Sequence, residues 1–211
     1  MGTDKWNFGK EAASWDKNPG RVKLADDVAR AISDEKILTP DMDVLDFGCG
    51  TGLLALRLRP QVRSITGVDS SQGMLDVFNK KIVAGNLTGI KTQCLDFEKG
   101  DVLEGTYGLI VCSMTLHHVR KIKPLLDQFY KIVSPQGYLC IADLDPDDGQ
   151  FHGDNDTVFH CGFDRTELRR SLMDAGFDDI TDRTAANMTK PVADGSMRSF
   201  SVFLMTGRKR P

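Results

Sequence analysis

The stretch Asp46-Phe47-Gly48-Cys49-Gly50-Thr51-Gly52 sets three glycines at alternate positions, and an acid, Asp69, follows about twenty residues later. Backbone without side chains can take positive φ and lie close against a ligand. A carboxylate at the end of the next strand can accept both hydroxyls of a ribose. Each half has an ordinary explanation by itself: tight packing for the glycines, a solvated strand end for the acid. In register, they form the two halves of a nucleoside site. A dinucleotide fingerprint wants glycine at the sixth position counted from Gly48, and Leu53 stands there. A P-loop wants Gly-Lys-Ser/Thr, which this turn lacks.

A second group is Ser113-Met114-Thr115-Leu116-His117-His118. Histidine is the side chain whose ordinary pKa suits proton transfer near neutrality, so His117 and His118 are the candidates for a catalytic base. The other role open to them is to shape a pocket or pack beneath a loop.

These groups need a frame that gathers them at one edge. Val44–Phe47 is a short apolar run that leads straight into the glycine turn, and an apolar helical stretch then runs to Leu58, with Pro60 beyond. Ahead of it, Val22, Leu24, Ala25, Val28, Ala29 and Ile32 recur at helical spacing over 21–33. The alternation continues, with strands predicted at 64–68, 90–95, 106–112 and 137–142 and helices at 71–84 and 121–133. Such alternation predicts parallel strands joined by crossover helices, covered on both faces. A helix over 165–175 is followed by strands at 177–184 and 197–206 with only a loop between them. Two strands without a crossover helix pair antiparallel. In such sheets ligands collect at the carboxyl edge, where both chemical groups fall.

Composition narrows the functions. At 211 residues and 40% hydrophobic content the chain is expected to build one core. With 27 basic against 30 acidic residues, its net charge of −3 offers no general attraction for nucleic acid or anionic lipid. It has no apolar run of about 18 residues and no secretory signal pattern at Met1, so a cytoplasmic setting and no membrane span are expected. Cys49, Cys94, Cys112, Cys140 and Cys161 are odd in number and show no CxxC spacing, which fits buried reduced thiols.

The motifs Val44 to Gly52, Gly67-Val68-Asp69-Ser70-Ser71-Gln72-Gly73-Met74-Leu75, Leu116-His117-His118 and Ser134-Pro135-Gln136-Gly137-Tyr138 resemble those of class I S-adenosylmethionine-dependent methyltransferases. The small-molecule branch, with its ubiquinone and menaquinone biosynthesis enzymes, is the most similar. The resemblance covers 43–176. It implies an α/β fold: a single Rossmann-like, doubly wound, mostly parallel seven-stranded sheet with an antiparallel C-terminal strand. One domain would span 1–211, with a helical lid segment at 1–35 and the core at 42–211.

The same resemblance implies that S-adenosylmethionine binds and S-adenosylhomocysteine leaves. Gly48, Cys49, Gly50 and Gly52 would pass under the methionine and ribose, Asp46 would sit near the amino group, and Asp69 would hold the ribose hydroxyls. Ser70 and Met74 would border the adenine, while Asp96 and Phe97 would meet its amino group and ring; surface capping is the other role for Asp96. Ser113 and Met114 would neighbour the cofactor. Trp6, Phe8 and Trp15 precede the first long helix, where Trp15 either closes over the sulfonium or packs the helix onto the sheet.

No Asn-Pro-Pro-Tyr follows the fourth strand, which lowers adenine and glutamine as acceptors. No acidic ligand follows it either, so no metal is expected. The acidic run Asp143, Asp145, Asp147 and Asp148, with His152, Asp154, Asp156 and His160, is a solvated loop or a lid that reads a polar or cationic acceptor. The leading function is methyl transfer to an oxygen, nitrogen or carbon of a small-molecule acceptor. The alternatives are a non-catalytic cofactor-binding partner subunit, a protein or RNA methyltransferase, and a nucleotide-linked dehydrogenase disfavoured by Leu53. Oligomeric state leaves no trace in the sequence.

Overall fold

Seven strands form one sheet in the computed structural model, which describes residues 8–153 and 156–211, with backbone only at position 10. Trp6 and Asp154 lie outside the described residues. In chain order the strands are β1 (Asp43–Phe47), β2 (Ser64–Asp69), β3 (Ile90–Cys94), β4 (Tyr107–Ser113), β5 (Val133–Leu144), β6 (Asp178–Pro191) and β7 (Met197–Arg208). The spatial order is β3-β2-β1-β4-β5-β7-β6. β1 to β5 pair in parallel, and β7 runs antiparallel to both β5 and β6. This is the expected sheet. The chain order reverses beside β1, between β2 and β4, which opens a crevice at the carboxyl ends of the strands.

Side chains along each strand alternate between two cores. Val44, Ile65, Leu109 and Val111 face one side, with Val28 and Ile32 of α2 (Pro19–Asp34), Leu58 of α3 (Leu53–Leu58) and Phe78 of α4 (Gln72–Ala84). Leu45, Val68, Ile110 and Cys112 face the other, with Leu125 and Phe129 of α5 (Ile122–Ile132) and Leu172 of α6 (Arg165–Asp174). A period of two along the strands deals residues to opposite faces, so helices must cover both.

Local signals set the helix ends. Asn18 caps α2 by accepting the N–H groups of Gly20 and Arg21, with Pro19 at the first helical position. Ser71 caps α4 and Asp164 caps α6. Ahead of α2, a short helix α1 (Phe8–Glu11) and a tight 3₁₀ turn over Ala12–Lys17 fold back over the crevice.

The sequence reading stops β6 at 184, yet the strand runs on to Pro191 and turns through 192–196 into β7. A bulge between Thr184 and Ala186 resets the alternation there, so the second half does not continue the pattern of the first. The expected loop is therefore the upper part of a long hairpin. Burial of the cysteines is also only part of the picture: Cys49, Cys112 and Cys140 are buried, whereas Cys94 and Cys161 are exposed, and all five are unpaired. Among the described residues, no helix is long and apolar enough to cross a membrane.

Candidate active site

A cleft of about 650 Å³ opens at the carboxyl edge of β1, β2 and β4. Its floor is the glycine turn. The N–H groups of Gly48 and Cys49 both donate to the Val68 carbonyl, at 2.8 and 3.0 Å, tying the turn to β2. Asp69 completes the joint: Oδ2 accepts the Gly50 N–H at 2.8 Å and Oδ1 accepts the Ser71 N–H at 2.8 Å. Burial raises the Asp69 carboxyl above its ordinary range, against the pull of the Ser71, Gly50 and Ser70 N–H groups.

The three glycines take different parts. All have positive φ. A Cβ on Gly48 would lie 2.2 Å from Thr115 Oγ1, and one on Gly52 would lie 2.3 Å from the Phe78 ring. A Cβ on Gly50 would meet nothing within 4 Å and would project into open space. Gly52 is therefore a packing glycine that does not line the cleft, contrary to the expectation that it passes beneath a ligand. Gly50 is the close-approach position and Gly48 borders it.

Asp46 is buried beneath the turn, and among the described residues its Oδ2 has no hydrogen-bond partner. Burial first, then the neighbouring charge of Asp69, pushes its carboxyl up to about 7. A buried oxygen left without a partner at the wall of a cleft is an unmet demand for a donor. An ammonium group answers it, with the ribose diol of the same ligand beside Asp69. The amino group and sugar of S-adenosylmethionine fit this pair of acids.

The other expected cofactor neighbours also line the cleft: Cys49, Ser70, Met74, Asp96, Phe97, Ser113, Met114 and Trp15 do so with Asp46, Gly48, Gly50 and Asp69. Burial drives the Cys49 thiol up, so it serves as a small apolar wall. Asp96 pairs with Lys99 at 2.8 Å, and Phe97 meets Phe47 edge to face. Met114 holds a left-handed φ of 52°, with its N–H donating to the Ala142 carbonyl at 2.8 Å. A non-glycine residue in that conformation stores strain. Trp15 carries the Arg21 guanidinium 3.6 Å from its ring centre, so one aromatic face is already covered by a cation.

His117 and His118 lie at the far end from Asp69, on a tight 3₁₀ turn after β4. His117 is buried, and its Nδ1 lies 2.7 Å from Asp143 Oδ1. Burial pushes the Asp143 carboxyl upward, but His117 and the N–H groups of Leu144 and His117 outweigh it and hold it below the ordinary range. His118 Nδ1 lies 2.8 Å from the Thr157 carbonyl. Burial, reinforced by His117, holds His118 at about 4.

Three cleft neighbours are not assigned a place in the site by the sequence, although His152 is noted there beside the acidic run. His152 comes from the loop after β5 and puts its Nε2 3.1 Å from His117 Nε2. Lys190, on the continuation of β6, donates to the Phe151 carbonyl and lines the cleft with Arg21. Asp16 accepts the Thr51 hydroxyl at 2.6 Å and pairs with Lys81, fastening the leading segment to the glycine turn. None of these contacts is local in sequence, so periodicity could not find them.

Asp143, Asp145, Asp147 and Asp148 of the acidic run each have a partner within the protein. Asp143 supports His117, Asp145 is held by Arg165 and Ser201, Asp147 caps a turn through Gly149 and Phe151, and Asp148 pairs with Arg198. The loop is clipped down, with Phe159 N–H donating to the His117 carbonyl at 2.9 Å and His160 Nε2 3.0 Å from the Val119 carbonyl.

Comparison with known proteins agrees with this geometry. An uncharacterized methyltransferase of Schizosaccharomyces pombe is 34% identical over 119 residues, covering 53% of this chain and 42% of the relative. A ubiquinone biosynthesis O-methyltransferase of Coxiella burnetii is 28% identical over 140 residues, 65% of this chain and 59% of the relative. The matches thus span less than two thirds of either relative. The DhpI–SAH complex superposes with a TM-score of 0.73 at 16% identity, covering 97% of this chain and 94% of that one. A SAM-dependent methyltransferase from Aquifex aeolicus gives 0.68 at 21% identity, covering 93% and 97%. The profile of the methyltransferase-domain family matches residues 18–182. With that match over most of its length, on this sheet and around this cleft, the chain belongs to the family of class I S-adenosylmethionine-dependent methyltransferases.

Proposed function

We propose that the protein transfers a methyl group from S-adenosylmethionine to an oxygen, nitrogen or carbon of a small-molecule acceptor by direct displacement. The observation that carries this reading is the cleft floor, where Gly50 and Asp69 meet beneath open space beside the unpartnered oxygen of Asp46. When bound, the donor supplies a cationic sulfonium whose methyl carbon the acceptor attacks. The chain's own residues bind and align. Asp46 receives the donor's amino group, Asp69 its ribose hydroxyls, Met74 and Phe97 its adenine, and the Ser113–Met114 turn borders its sulfur side.

Excluding water and fixing the line of attack supply much of the acceleration in such a displacement. The leading segment, fastened through Asp16 and with Phe8 edge-on to His118 at 5.4 Å between ring centres, covers the cleft, and the acceptor sits at the histidine end. Arg21 and Lys190 at that end favour an acceptor with negative charge. The similar Coxiella protein is a ubiquinone biosynthesis O-methyltransferase, which supports a small-molecule acceptor. His117 and His118, at this acceptor end, are the side chains we assign to activating it. The unpaired cysteines agree with work in a reducing cytosol.

The test has two steps. Calorimetry with S-adenosylhomocysteine and, separately, NADH should show binding of the first alone. Incubation with methyl-labelled donor and a cell metabolite extract should then label a small molecule. Tight S-adenosylhomocysteine binding with no label transferred would leave the non-catalytic partner subunit as the correct reading.

A further inference from the structure

The acceptor end of the cleft holds three imidazoles from two distant parts of the chain: His117 and His118 after β4, and His152 from the loop after β5. All three line the open space. Their nearest ligand nitrogens all lie within 4.8 Å of one another, and the Nε2 atoms of His117 and His152 are 3.1 Å apart. Nitrogens bound to one tetrahedral Zn²⁺ at its usual bond length stand about 3.3 Å apart. The His117–His152 spacing is already close to that of a coordination shell.

The hydrogen bonds fix which nitrogens are free. Asp143 also accepts the backbone N–H groups of Leu144 and His117, so its carboxylate is an acceptor toward His117 Nδ1 as well. The Thr157 carbonyl can only accept, so His118 Nδ1 carries a proton too. Each ring therefore keeps its lone pair on Nε2, and that of His117 faces His152 Nε2 at 3.1 Å. A buried carboxylate behind one ligand and a backbone carbonyl behind another are the supports that orient metal-binding imidazoles. Without a metal, the Nε2–H of His152 can satisfy only one of these two lone pairs.

We propose that His117, His118 and His152 bind a divalent transition metal of the zinc type, with a fourth position open to the cleft. Three imidazoles with an open fourth place are a catalytic rather than a structural arrangement, and imidazole donors select Zn²⁺ over Mg²⁺ or Ca²⁺. The site rests on the methyl-transfer reading for its role: the open position would take an acceptor hydroxyl, whose proton passes to solvent in the open cleft as the oxygen binds, and so narrows the acceptor to an oxygen nucleophile. This reverses the expectation of no metal, which considered carboxylate ligands alone.

The experiment is a calorimetric titration of chelator-stripped protein with Zn²⁺, without donor, alongside the absorption spectrum of the Co²⁺-loaded protein. The expected result is a single equivalent of Zn²⁺ and an intense tetrahedral Co²⁺ spectrum. His152→Ala, on a loop and readily accommodated, should weaken Zn²⁺ by at least about 100-fold, and Asp143→Asn by about 10- to 100-fold. His160→Ala, outside the cluster, should bind like the unaltered protein. Failure of the folded protein to take up Zn²⁺, or equal affinity in His152→Ala, would overturn the proposal. S-adenosylhomocysteine binding to the same stripped protein separates the two readings: donor binding without Zn²⁺ uptake defeats only the metal site, and the reverse defeats only the donor assignment.

Discussion

The two ends of the cleft are built on different principles. The donor end is backbone and short-range: a turn of seven residues, one acid on the adjacent strand, and hydrogen bonds from Gly48 and Cys49 to Val68. The acceptor end is side chain and long-range: His117, His152 and Lys190 are separated by dozens of residues and brought together by β5, its following loop and the β6–β7 hairpin. A site made of backbone geometry leaves its mark as glycines at fixed spacing, whereas a site made of converging loops leaves only scattered polar residues.

Substitutions can break this contrast in order of expected size. Gly52→Ala places a Cβ against the Phe78 ring in a left-handed conformation, and thermal unfolding should report a loss of about 2–4 kcal/mol. Gly50→Ala has room for its Cβ and only the conformational strain, about 1–2 kcal/mol, yet should lose donor affinity because that Cβ enters the cleft. Equal stability losses in the two would erase the distinction between packing glycine and ligand glycine. Asp69→Ala should weaken S-adenosylhomocysteine binding by about 1–3 kcal/mol in calorimetry, since the Gly50 and Ser71 N–H groups lose their acceptor along with the ribose.

Asp46 gives the donor end a pH signature. Its carboxyl is raised to about 7 in the free protein and must be ionised to meet an ammonium group. Donor affinity should therefore fall about tenfold from pH 8 to pH 6, with proton release on binding at pH 6. The linkage to stability has the opposite sense. Because the folded pKa lies above the unfolded one, stability is highest below the unfolded value near 4 and declines as pH rises toward 7. Asp46→Asn should thus stabilise the free protein by about 1–3 kcal/mol at pH 8 while flattening the pH dependence of binding. The smallest effect sharpens the comparison from the other side: His152→Ala should leave S-adenosylhomocysteine affinity within about twofold while turnover falls.

The same contrast explains what could be read from the chain. Strands β1 to β4 announce themselves as short runs between turn signals, and helices α2, α4 and α5 because each buries one face against the sheet, with side-chain caps at the starts of α2 and α4. Asp46, Gly50 and Asp69 were legible for the same reason. The far half of β6 was not, because the bulge after Thr184 shifts its alternation. His152 sits in a stretch whose acids look like a solvated loop; their real partners, Arg165 at the start of α6 and Arg198 and Ser201 on β7, lie far along the chain. The packing role of Gly52 leaves no local mark, since Phe78, the side chain that forbids a Cβ there, lies on α4, beyond α3 and β2.

The most direct measurement is a crystal structure of the protein grown with S-adenosylhomocysteine. The account requires the ribose hydroxyls on Asp69, the amino group on Asp46 Oδ2, and the sulfur on the side of Gly50 that faces His117 and His118. A ligand bound elsewhere, or one seated in the cleft with Asp46 Oδ2 still lacking a partner, would contradict it.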